Sequence, residues 1–178
     1  MDVEFDDLVL TARGHDLLRF RLAMLGDEMR STLSAVLREG VFDGEAASRY
    51  QQASTEHAAL LLALLESRPV GSVPADPRTV LVGDRVRVVT DDGAVESLVV
   101  VHPLELSLDD AFGRAKPALR RVSTASPLGR AMLGRNVSDV IEVRDPTGPY
   151  RCRILSADRE RPTTTAASWM PYTARDPG

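Results

Sequence analysis

From Thr11 onward, Leu18, Leu22, Leu25, Met29, Leu33 and Val36 recur at steps of three and four, the spacing that lines one face of an α-helix. Ala46, Tyr50, Ala53, His57, Leu60, Leu61 and Leu64 keep the same period over a second stretch. Gly40-Val41-Phe42-Asp43-Gly44 separates the two, so they are expected to fold back on each other as an antiparallel hairpin. Each arm has roughly 20 to 26 residues, which places the tip about 30–39 Å from the base. Pro69–Pro77 then brings three prolines and no helical period, the mark of a linker.

Beyond the linker the pattern turns to β. Val80–Thr90 and Val95–His102 flank Asp91-Asp92-Gly93, a hairpin turn signal. Leu106–Phe112 reads as a helical turn with Ser107 as its cap, and a further strand begins near Arg120. Ser126 and Pro127 suit the cap and first position of a short helix. Leu128, Met132 and Leu133 give that helix an apolar face, and Gly134 can end it. Val137, Val140, Ile141 and Val143 supply a strand, and Tyr150–Leu155 alternates as its antiparallel partner. From Arg159 the run rich in Thr, Ala, Pro and charge has no period and reads as a flexible tail containing Trp169-Met170-Pro171-Tyr172.

Composition narrows the function. The chain has 178 residues and a net charge of −4, ordinary for a soluble protein and unfavourable for a phosphate-backbone binder, so DNA binding on its own is not expected. No apolar run approaches the ~20 residues that span a bilayer, and the acidic N-terminus is the wrong sign for a signal peptide, so a cytoplasmic location is expected. One cysteine, Cys152, excludes an internal disulfide; it falls on a strand and is expected to be packed. His15, His57 and His102 are too scattered to suggest a metal site. No residue set completes an active site alone, so the chain is not expected to be an enzyme or to carry a cofactor.

The run VSTASPLGRAMLGRNVSDVIEV, Val122 to Val143, resembles the signature of the C-terminal domain of the Gre family, factors that enter the secondary channel of bacterial RNA polymerase. Ser126, Pro127, Leu128, Gly129, Arg130, Ala131, Leu133, Gly134 and Asp139 carry the resemblance, with Ser138 standing where the family usually has Gly. It implies an α+β protein: an N-terminal coiled-coil hairpin over residues 1–68 with its tip at about 40–45, a linker over 69–78, and an FKBP-like antiparallel sheet domain with a short helix over 79–157, before the tail at 158–178. Fold alone does not imply prolyl isomerisation, which needs an aromatic-lined pocket; this segment holds only Phe112 and Tyr150.

The resemblance also supplies candidate residues. In the family, the signature turn docks on the rim helices of the polymerase β′ subunit, which here corresponds to Ser126, Pro127 and Leu128, with Gly129 allowing close approach. Ser126 and Pro127 also simply cap the helix, and the two roles are compatible. In cleavage-stimulating members the hairpin tip carries an Asp and a Glu that help hold the polymerase's second magnesium ion, a hard cation that selects oxygen ligands. Aligning Tyr50 with the family tyrosine puts Asp43 on the Asp position but Ala46 and Ala47 on the Glu and Asn positions. Glu45 lies one residue early, about 100° around the helix. Glu39, Phe42, Asp43 and Glu45 are therefore the tip residues expected at the polymerase active site, with Asp43 and Glu45 the candidates to reach its magnesium. Phe42 and Asp43 have a local alternative as a hydrophobic staple and an N-cap.

The reading adopted is a monomeric polymerase binder that inhibits transcription without promoting RNA cleavage. A transcript-cleavage factor keeps the fold and changes the sign. A regulator docking on another protein, such as a nucleotide kinase, would use the hairpin structurally.

Overall fold

The computed structural model describes residues 8–40, 44–70, 76, 78–112 and 119–159, and for Glu39 the backbone alone. Tip residues 41–43, most of the linker and the segment 160–178 expected as a tail lie outside the described residues.

Two long helices form the hairpin, α1 (Ala12–Glu39) and α2 (Gly44–Glu66). Thr11 caps α1, its side chain accepting from Gly14 N–H, and Gly40 ends it in the left-handed conformation (φ 69°) with its N–H on Val36 O. At 28 residues α1 is about 42 Å long, slightly more than the sequence suggested. Leu18, Leu22 and Leu25 bury against Ala53 and Leu60, as their spacing requires. Each fully buried leucine contributes about 1.5–3 kcal/mol. Arg21 clamps Glu56 across the helices with two 2.7 Å hydrogen bonds. Farther out the seam thins: Leu33 is exposed and Leu37 is 84% exposed.

At the base, β1 (Val9–Leu10) pairs in parallel with β2 (Arg68–Pro69), joining the chain's entry into α1 to its exit from α2. The remainder is a five-stranded sheet of β3 (Asp84–Thr90), β4 (Val95–Val101), β5 (Arg120–Ser123), β6 (Val140–Asp145) and β7 (Gly148–Arg159), in the order β5-β4-β3-β7-β6. Two helices join them, α3 (Pro103–Ala111) and α4 (Pro127–Met132). Val86, Val88, Cys152 and Ile154 point into the core with Met132 and Val143, while Arg85, Arg87, Arg151 and Arg153 alternate outward.

The α+β architecture agrees with the sequence, and four details differ. The sheet is mixed, because β5 runs parallel to β4: α3 carries the chain across before β5 starts, as a parallel connection requires. The first strand begins at Asp84 instead of Val80, since Gly83 (φ 89°) and the Asp84 N–H to Leu81 O bond hold a turn before it. The third helix starts at Pro103 and is capped by His102, whose Nδ1 accepts from Leu104 N–H at 3.1 Å, so Ser107 is inside it. Finally, β7 continues to Arg159, whose guanidinium donates to buried Asp84 at 3.1 Å.

The hairpin is seated on α3. Leu10, Leu17 and Leu18 share a core with Leu108, and Phe20 lies 5.1 Å from Phe112, centroid to centroid. Inside this contact Glu105, 0% exposed, accepts from the N–H of Thr11 at 2.7 Å and from its hydroxyl at 2.8 Å. Arg121 of β5 donates to the same carboxylate at 2.5 Å and also faces Asp109, which pairs with Arg13.

Candidate functional site

The turn between β5 and α4 is built by its own hydroxyls. Ser126 Oγ accepts from Gly129 N–H at 3.1 Å and donates to Ser123 O at 2.7 Å, and Ser123 Oγ accepts from Ala125 N–H at 3.0 Å. Pro127 at the first helical position has no N–H to leave unpaired. Gly134 (φ 75°) follows the helix and hydrogen-bonds Val80 O. The turn is thus stiff before any partner arrives.

Its surface differs from what the motif alone suggests. Leu128 is 7% exposed and packs in the sheet core, and Gly129 is buried. A Cβ on Gly129 would stand 1.9 Å from Ser123 O, so this glycine lets α4 close against its own preceding turn. Ala125 and Arg130 are exposed, and Ser126 and Pro127 half-buried, so these four offer the turn's outer surface.

Of the tip residues, Phe42 and Asp43 lie outside the described residues and Glu39 ends α1. Glu45 is exposed in the first turn of α2, where its negative charge complements the helix dipole. Ala46 is 9% exposed. The position that the resemblance aligns with a second carboxylate is therefore a buried alanine, and the exposed Glu45 precedes it by one residue.

Among the described residues no group of three or more His, Cys, Asp or Glu could hold a metal ion, and no helix is long and apolar enough to cross a membrane. Burial pushes the Cys152 thiol up, and it sits in the core. Phe112 and Tyr150 do not meet: the first packs on Phe20, while the second lines an open cleft of about 340 Å³ with Asp91, Glu142, Pro149 and Arg151. Such polar walls do not suit an apolar ring substrate. Burial also pushes the Tyr150 hydroxyl up.

The spacing of caps, glycines and apolar strands from Ser126 to Val143 thus folds into a helix wedged onto a curled sheet. Residues 75–159 match the family model described as transcription elongation factor, GreA/GreB, C-terminal. Residues 75–159 thus carry a Gre-type C-terminal domain. Among Gre relatives, the transcription elongation factor GreA of Alkaliphilus oremlandii is 29% identical over 160 residues, covering 86% of this chain and 97% of that protein. The GreA of Thermomicrobium roseum is 32% identical over 80 residues, 45% of either chain. Among solved Gre structures, the GreA factor homolog 1 (Gfh1) of Thermus thermophilus has a TM-score of 0.34 at 20% identity, covering 85% of this chain and 98% of that one. The GreA/GreB factor of Nitrosomonas europaea has a TM-score of 0.35 at 20% identity, with the same coverage.

Sequence reasoning missed Glu105. A lone glutamate in Pro103-Leu104-Glu105-Leu106 carries no motif, and the available signal was Pro103, which marks a helix start and so places Glu105 in a first turn.

Proposed function

We propose that this protein binds bacterial RNA polymerase, inserts its hairpin into the secondary channel and inhibits transcription without promoting RNA cleavage. The turn at Ser126 and Pro127 docks on the β′ rim helices, with buried Leu128 and Gly129 supporting it from within, residues 79–157 as the docking domain, 69–78 as linker and 1–68 as the inserted element. The protein acts as a monomer in the cytoplasm, regulates the polymerase and brings no cofactor of its own.

The observation that carries this is the burial of Ala46. Cleavage by a two-metal route needs the second ion fixed by carboxylates at set positions. Here the second of those positions is a buried apolar residue. Asp43 is left as a single acidic ligand, so the tip occupies the channel and obstructs it without completing the metal site. Glu45 supports a second reading, a cleavage factor, since it is exposed one residue away.

The test is a backtracked elongation complex incubated with the protein at varied Mg²⁺, scored for RNA cleavage and for extension, beside Asp43→Ala. Slowed extension without cleavage is expected. Accelerated cleavage that disappears in Asp43→Ala would overturn inhibition and establish the second reading.

A further inference from the structure

We propose that Glu105 is a positioning residue that fixes the direction of the hairpin relative to the docking turn; its functional consequence rests on the docking reading above. A fully buried carboxylate is costly unless its lone pairs are satisfied, and among the described residues Glu105 is satisfied by groups that come from two other parts of the chain at once. Thr11 approaches from the head of α1 with an N–H and a hydroxyl, and Arg121 from β5 with a guanidinium that is 7% exposed. Burial lowers the Arg121 pKa and the charge of Glu105 partly opposes this, so the buried guanidinium leans on that carboxylate.

Two further features show that α1 is shaped around this carboxylate. The helix has no acidic residue in its own first turn, although the free N–H groups and dipole at its start favour a negative charge; Glu105 delivers that charge from α3. Gly14 in the same turn leaves the space that Glu105 fills, for a Cβ there would lie 2.4 Å from its Cδ. Apolar contacts such as Leu17 on Leu108 tolerate a small slide. Three directional bonds converging on one carboxylate do not.

The same residues reach the docking turn. Arg121 is two residues from Ser123, whose carbonyl receives both the N–H and the hydroxyl of Ser126. The path from turn to hairpin is Ser126, Ser123, Arg121, Glu105, Thr11, and every non-covalent link in it is a hydrogen bond. A hairpin about 42 Å long amplifies any rocking at its base, so the tip's position depends on this joint.

The experiment measures distances in the full chain by double electron–electron resonance, with spin labels at Ser48→Cys on α2 and Arg144→Cys on β6, the buried Cys152 remaining unlabelled. Glu105→Gln removes the charge, and Gly14→Ala displaces the carboxylate while raising the intrinsic helix propensity of α1. The native chain is expected to give one narrow distribution, and both variants a broader, shifted one. If Glu105→Gln fails to fold, Gly14→Ala decides alone. An unchanged distribution in a folded variant overturns the proposal, whatever the outcome with polymerase. With polymerase, both variants are expected to dock with near-native affinity while their effect on RNA extension falls about tenfold or more. Equal loss of docking and effect would overturn the positioning role. If the native chain itself does not bind polymerase, the function proposed above fails and the distance measurement still decides the role of Glu105.

Discussion

Gly129 and the carbonyl of Ser123 are in such close approach that no side chain fits between them: the nearest atom to a Cβ at 129 would be backbone, at 1.9 Å. Backbone cannot swing aside as a side-chain tip can, so Gly129→Ala must push α4 off β5. The expected cost is about 3 kcal/mol. Chemical denaturation should show a lower midpoint with little change of slope, and binding to polymerase should weaken as the turn is displaced.

Ser138 occupies the position where Gre sequences usually have Gly, and its φ of 81° is the conformation that glycine adopts freely. Its N–H is committed to Ile154 O, which holds the backbone in place. Ser138→Gly relieves the strain at some loss of unfolded-state restriction, so a net gain of about 0.5–1 kcal/mol is expected. Thermal unfolding should move up by about 1–4 °C.

His102 caps α3 only as a neutral ring, since its Nδ1 accepts from Leu104 N–H. Burial holds its pKa below the usual 6.5. The unfolded chain then binds the proton more readily, so this contribution to stability is complete above about pH 6.5 and is lost as pH falls from there toward the folded value. Melts at about pH 7.5 and about pH 5.5 should show that loss in the native protein and a smaller one in His102→Asn, which caps without titrating.

Cys152 lies in the sheet core with its thiol pKa raised by burial, the first cause, and by Asp91 and Glu96. A native chain should therefore resist thiol reagents at neutral pH and react fully once denaturant is added. Rapid labelling of the folded chain would contradict the packing described.

Much of this fold was legible because strong local patterns coincide with the final packing. The leucines from Leu18 to Leu25 keep one period and meet one partner helix. Ser126-Pro127 and Asp92-Gly93 state their turns by backbone chemistry alone. The parts that were hidden depend on partners remote in sequence. Val9–Leu10 is too short to show alternation and exists as a strand only because Arg68–Pro69 lies beside it. His102 is an uncommon cap, and Glu105 looks like any surface glutamate until Thr11 arrives from 94 residues away. The turn before α4 was legible as a motif, yet the burial of Leu128 and Gly129 follows from how tightly α4 closes on β5.

The clasp between β1 and β2 turns the hairpin into a closed loop whose two feet are bonded to each other. Packing is concentrated near those feet, where Leu10, Leu18 and Leu25 are buried, and it dwindles past Leu33 and Leu37. Substitutions at the far end therefore draw little on folding free energy, while those at the feet draw heavily. Such a division lets a lineage exchange the chemistry it presents at the end of the arm and leave the arm itself unaltered.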